Sequence, residues 1–437
     1  MKYYLNLERP HLMNPAMNVI IKADFRGQFY EDVFREAVKK LSDAYGILRA
    51  TVQMDEKGLA YYKPSSAADV PVWLLEGGAS FEQLVQRENK KIFHLKKESM
   101  LRIFVIPAPA AFSVIFVSHH LLGDGKSNLL LMEALGRAYK GEELPYVGIR
   151  LIKGTENFPR KSELSSVTKM YLGSLNRTWK KEKRIFSFEE YNKLFQTYHI
   201  EREPVLYSIT LNAVELRKLT HRCKKIGVTV NSAVVAAFSY AEKEMDEHHK
   251  NSTDKIGIAV DVRDELNFDA ARLVGNYASA VSIEQGKVGK EEFAKYMAMI
   301  HNKLQKKIKN TRSKWLCLQA FDWLEGTLID AGYFYAYGRL ESKGAKRYAK
   351  MINYAGEPSE LGVTNLGKVF MRMPEGIEME SIEFVPPAAP CNDITVGIVT
   401  YQGVMHMSIM YEPTAVRRET VQKIGGRVKE LLLREGE

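Results

Sequence analysis

Two adjacent histidines, His119 and His120, end the apolar run FSVIFVSHH, and four residues past the second, Asp124 stands between Gly123 and Gly125. Imidazole titrates near neutral pH and can both take and return a proton, so a histidine held at the end of a rigid strand is a sensible general base. From Phe112 to Val117 the only polar residue is Ser113, the pattern of a strand buried on both faces. Side chains alternate along a strand, so His119 and His120 point to opposite sides and at most one faces a given cleft. The chemistry is assigned to His120. Gly123 and Gly125 permit a tight turn with positive φ, and Asp124 between them can turn its carboxylate back toward the strand end.

These residues need elements to hold them. Before the motif, NVIIKADF, ILRATVQM, AYYKP and LRIFVIP read as strands, and FYEDVFREAVKKLSDAYG carries Val33, Phe34, Ala37, Val38 and Leu41 at helical spacing. After it, SNLLLMEALGRAYKG is an apolar helix that stops at Gly141. This first α/β lobe spans residues 1–150. From 151 to 204 the composition turns charged and polar with little sustained periodicity, so a long crossover is placed there. A second lobe, 205–437, opens with the strand VLYSITL and a helix whose start is marked by Asn212 and Glu215, a capping box. Further strands are read at KIGIAVDVRD, YASAVSIEQ, LGVTNLGKVFM, SIEFVPP, DITVGIVTYQG and VMHMSIMYEP, with helices between them and a basic helix at the end. The fold class is α/β: two similar lobes, each an α+β two-layer sandwich.

Composition narrows the function classes. The 437 residues include three cysteines, Cys223, Cys317 and Cys391, without CxxC spacing, so neither a disulfide framework nor a metal site is expected. No uncharged apolar run reaches the length of a membrane span, and the start MKYYLNLERPHLMNP lacks a signal-peptide core; a cytoplasmic location is expected. The net charge of +10, with clusters at WKKEKR and KLQKKIKNTRSK, fits no zinc-finger, RRM or basic-zipper pattern, and nucleic acid is not an expected partner. Such runs are solvated helix faces, or a field that attracts a phosphate-bearing cosubstrate.

The spacing H-H-x-x-x-D-G, after an apolar strand and before an apolar helix, resembles the active-site motif of the chloramphenicol acetyltransferase-like superfamily. That superfamily includes acyl-CoA alcohol acetyltransferases, polyketide-associated acyltransferases and peptide-synthetase condensation domains. VTVNSAVVAAF, VDVRDEL with VGNYASAV, and VTNLG at Val363–Gly367 are similar to later segments of the family in order and spacing. Lys126 stands where condensation domains often carry an aromatic residue, DAYGILRATV keeps one arginine of their R-H-E-x-L-R-T stretch, and the plant-branch motif D-F-G-W-G is absent. The resemblance is therefore closest to the free-standing alcohol O-acetyltransferase branch.

The resemblance implies two lobes with a tunnel between them, acyl-CoA as cosubstrate with no bound cofactor, and direct attack of an alcohol or amine acceptor on the thioester after His120 takes its proton. It implies a structural role for Asp124, paired with an arginine: Arg263 is the first choice and Arg49 the alternative. Asp261 and Arg263 are expected on one strand face, with Gly125 and His119 as further structural support. Asn365, Thr364 and Asn276 are the candidates for substrate or oxyanion contact, beside backbone N–H groups around Gly125. Tyr333, Tyr335 and Tyr337 either line an acceptor pocket or are core. A carrier-protein donor in a condensation step, and a catalytically silent binding protein of the same fold, are the alternatives. An acyl-carrier protein is thus a second candidate partner, and a monomer suffices to form the site.

Overall fold

The computed structural model describes residues 2–65, 68–245, 254–286, 292–354, 360–371, 373, 375–389 and 391–434. The strand that carries the motif, Ala111–His119, lies in the middle of a five-stranded sheet, between Asn18–Arg26 and Leu101–Ala108, both antiparallel to it. Residues 114–119 are all buried, which is why the run is apolar on both alternating faces. One face is covered by the helices Glu31–Ala44 and Gly125–Tyr139, which pack on each other. The first buries Phe34, Ala37, Val38 and Leu41; Val33, read as part of that stripe, is exposed. The predicted strand ILRATVQM begins at Ala50 and belongs to a separate small sheet with Tyr3–Tyr4 and Ala60–Pro64.

The second lobe is a six-stranded sheet in the order Ala278–Glu284, Lys255–Asp261, Glu360–Lys368, Asn392–Tyr401, Val404–Tyr411, Val205–Leu211. Helices Ala213–Ile226, Val230–Glu244, Phe293–Lys309 and Arg418–Leu433 supply the side chains that complete its core. Asn212 and Glu215 form the expected capping box, and Thr229 caps the next helix.

Two features of the lobes differ from the sequence reading. The strand Glu378–Val385, inside the stretch read as the second lobe, pairs antiparallel with Asn18–Arg26 and so completes the first lobe's sheet. A strand donated across lobes leaves no local mark, because its alternation is the same in either sheet. The stretch read as an aperiodic crossover contains the helices Ser166–Lys180 and Phe188–Glu201. They bury Leu172, Leu175, Trp179, Tyr191, Leu194 and Phe195 in a core continuous with that of the first lobe. Helices Gly326–Ala336 and Lys343–Met351 join the same core. No helix among the described residues is long and apolar enough to cross a membrane.

Candidate active site

The loop after the motif strand is stitched to the second lobe. Asp124 caps the helix Gly125–Tyr139 by accepting the Ser127 N–H at 2.9 Å. The same carboxylate receives both ends of the Arg263 guanidinium, each at 2.8 Å, and the Tyr277 backbone N–H at 3.0 Å. Ser127 Oγ donates to the Gly275 carbonyl at 2.7 Å and accepts from Arg263 and from the Gly275 N–H. The DVRD and VGNY segments therefore meet the motif loop through the Arg263 side chain and the backbone of Gly275 and Tyr277. Burial would raise the Asp124 pKa; the Arg263 guanidinium and the two backbone N–H donors outweigh it and hold the carboxyl below its ordinary value.

Arg49, the alternative partner, pairs instead with Asp43 at 2.6 Å, both partly exposed. Arg263 does not share a strand face with Asp261 as expected. The strand ends at Asp261 and Arg263 begins a 3-10 turn, which brings its guanidinium within 3.2 Å of Asp261. Asp261 also pairs with Lys126 at 2.5 Å, a second ion pair between the lobes.

The glycines act by close approach. A Cβ on Gly123 would lie 2.7 Å from Ser127 Cβ and 3.0 Å from the Gly275 carbonyl; one on Gly125 would lie 2.6 Å from Leu366. Gly125 is the first helical residue after its cap, so its role is to let Leu366 and Phe384 pack against the helix start, not to turn with positive φ.

His119 and His120 do face opposite ways. His119 is buried, its Nδ1 accepts the Leu121 N–H at 3.2 Å, and Phe93 meets its ring edge-on. Burial first, then the neighbouring His120 and Arg102, push its pKa down to about 3. His120 instead lines a cavity of about 580 Å³ between the lobes. Asn276 clamps it: the amide Nδ2 donates to the His120 carbonyl at 2.8 Å, which turns Oδ1 to His120 Nδ1 at 2.9 Å. An amide oxygen only accepts, so this network assigns the proton to Nδ1 and leaves Nε2 with a free lone pair. Burial, the largest influence, holds His120 below the usual histidine range.

The remaining candidates separate. Thr364 lines the His120 cavity, whereas Asn365, one residue on and facing the other way, donates to Asn231 at 2.8 Å and lines a different cleft. Of the three tyrosines, Tyr333 reaches the cavity wall, with Tyr348 and Tyr354, and donates to the Pro10 carbonyl at 2.6 Å. Cys317 and Cys391 lie on the same wall; burial pushes the Cys317 thiol up to about 12. Among the described residues no three of His, Cys, Asp and Glu gather as a metal would require. The clamping role of Asn276 was not legible in advance, since it depends on two lobes meeting.

The condensation domain family model matches residues 8–150. Bacitracin synthase 1 of Bacillus licheniformis is 24% identical over 218 residues, which is 49% of this chain and 4% of that protein's length. The chain thus spans only a small part of this curated relative. Among solved structures, trichothecene 15-O-acetyltransferase from Fusarium sporotrichioides is 15% identical with a TM-score of 0.66, covering 98% of this chain and 93% of its own. The first condensation domain of the CDA synthetase is 13% identical with a TM-score of 0.65, covering 100% and 97%. Residues 8–150 are thus similar to the condensation domain family, and along the whole chain the two-lobed α/β fold is shared with condensation domains and an acetyltransferase of known structure.

Proposed function

We propose that the protein is an acyltransferase that moves an acyl group from a thioester to an alcohol or amine, with His120 as general base. The observation that carries this reading is the Asn276 clamp, which presents His120 Nε2 as an acceptor at an interlobe cavity. An acceptor hydroxyl or amine in the cavity gives its proton to Nε2 as its oxygen or nitrogen attacks the thioester carbonyl. The tetrahedral intermediate collapses with loss of thiolate, which takes the proton back from the imidazolium, so product and thiol leave with His120 neutral again. No acyl-enzyme is needed. The Gly125 N–H, in the first turn of its helix and without an intrahelical partner, and the Thr364 hydroxyl are the candidate donors to the carbonyl oxygen as it becomes an oxyanion. Asp124 holds the backbone that carries His120 and does not itself titrate in the cycle.

The donor we favour is acyl-CoA. A cleft of about 790 Å³ on the second lobe gathers Arg217, His221 and Lys224, one face of the helix Ala213–Ile226, with Lys368 opposite. Such a cluster suits the phosphates of coenzyme A. The condensation-domain match supports the second reading, in which the thioester is carried by an acyl-carrier protein. Thiol release measured with acyl-CoAs and with acyl-carrier protein, against pools of alcohols and amines, separates the two. Absence of turnover with either donor across broad acceptor pools would leave a silent binding protein.

A further inference from the structure

The sequence motif accounts for His120 and Asp124, and says nothing of a second imidazole that lies flat on the first. The rings of His11 and His120 are 4.2 Å apart between centroids and only 2° from parallel. We propose that His11 is a positioning residue for the transfer reaction, a π-face that fixes the plane of the His120 ring and stabilises the imidazolium as it forms. This rests on the acyl-transfer reading above.

Three features show that the stack is built. His11 closes the 3-10 turn Arg9–His11, and that turn is pinned from outside. Arg9, itself buried, forms an ion pair with Asp330 of the helix Gly326–Ala336 and donates to the Gly58 carbonyl at 2.9 Å. The Pro10 carbonyl accepts the Tyr333 hydroxyl. Second, Met17 touches both residues: its carbonyl accepts the His120 backbone N–H at 2.7 Å, while its sulfur lies 3.4 Å from His11 Nδ1. Third, the Asn276 clamp grips His120 only at its carbonyl and Nδ1, which leaves rotation of the ring about the clamp to be stopped by whatever lies on its face.

The chemistry follows from the geometry. A cation over an aromatic face is attracted by the ring's quadrupole, and most strongly where water is excluded. A neutral His11 thus does little for neutral His120 and more for the imidazolium that exists only after the acceptor has given up its proton. That is the differential that accelerates a step. Burial, together with the like charge that His120 and His119 would present, holds the His11 pKa well below its ordinary value, consistent with a ring that stays neutral through the cycle.

The test compares His11→Ala with His11→Phe, which restores the flat face without the nitrogens. With histidine-labelled protein, the His120 ring protons should lose a ring-current shift in His11→Ala and keep it in His11→Phe. This readout needs no turnover, so it stands even if the acyl-transfer reading fails. In the transfer assay, His11→Ala should lower kcat by roughly five- to thirtyfold, the size of a desolvated cation–π contact, with KM nearly constant. His11→Phe should recover most of it. Unchanged His120 resonances and kcat in His11→Ala would overturn the proposal, as would a folded His11→Phe no better than His11→Ala.

Discussion

Removing the Asp124 carboxylate while keeping Arg263 should be among the most damaging single changes in the chain. Arg263 is 6% exposed and both its terminal nitrogens bond to Asp124, so Asp124→Ala leaves the buried guanidinium only Asp261, at 3.2 Å, and the Ser127 hydroxyl, at a cost of up to about 3 to 5 kcal/mol. The same change removes the cap on the helix Gly125–Tyr139, about 1 kcal/mol, and leaves the Tyr277 N–H without its acceptor. The charge and the cap together come to at most about 4 to 6 kcal/mol for Asp124→Ala. Arg263→Met alone strands the carboxylate in turn. The double variant removes both charges and should be more stable than the sum of the two singles by about 2 kcal/mol or more. Denaturant unfolding of the four proteins gives that coupling directly. Additivity within about 0.5 kcal/mol would refute the pairing argument. The parallel cycle with Arg49→Met should be additive, because Arg49 is engaged with Asp43.

Asn276→Leu should free the His120 ring from its tautomer and lower kcat by more than tenfold, on the order of a mispositioned general base, with little change in midpoint of unfolding; kcat equal to wild type would show that the clamp is idle. Because the base must be neutral and burial depresses the His120 pKa below 6.5, the acidic limb of kcat/KM should have its midpoint below pH 6.5; a midpoint above that value would contradict the assigned environment. His119 sits at about 3 when folded and near 6.5 when unfolded. The unfolded chain therefore takes up its proton first as pH falls. The stability His119 supplies is complete above about pH 6.5 and declines toward pH 3, by about 1.4 kcal/mol per pH unit within that window. His119→Phe should flatten this slope in unfolding experiments between pH 6 and 4, and an unchanged slope would place the lost protons elsewhere.

What was legible in the sequence is what local pattern encodes. The apolar run to His119, the glycine-flanked Asp124 and the helix after it form one continuous segment, and the structure keeps it intact. Opposite orientation of the two histidines followed from strand alternation alone. The choice of Arg263 over Arg49 came from family resemblance, since nothing local distinguishes them. Other features are products of chain closure: the strand Glu378–Val385 crossing into the first lobe, Asn276 reaching His120 from 156 residues away, and His11 lying on the same ring. No periodicity reports such contacts. The two helices between 151 and 204 are a different case. Leu172, Leu175 and Trp179 lie at helical spacing, and Ser187 with Glu190 is a capping box; high charge content masked a pattern that was present.

The central claim is that His120 Nε2 takes the acceptor's proton. His120→Ala, with its midpoint of unfolding within a few degrees of wild type, should release thiol from the thioester donor at about 10²- to 10⁴-fold lower rate in the presence of acceptor. Equal rates for wild type and His120→Ala under the same conditions would contradict the account.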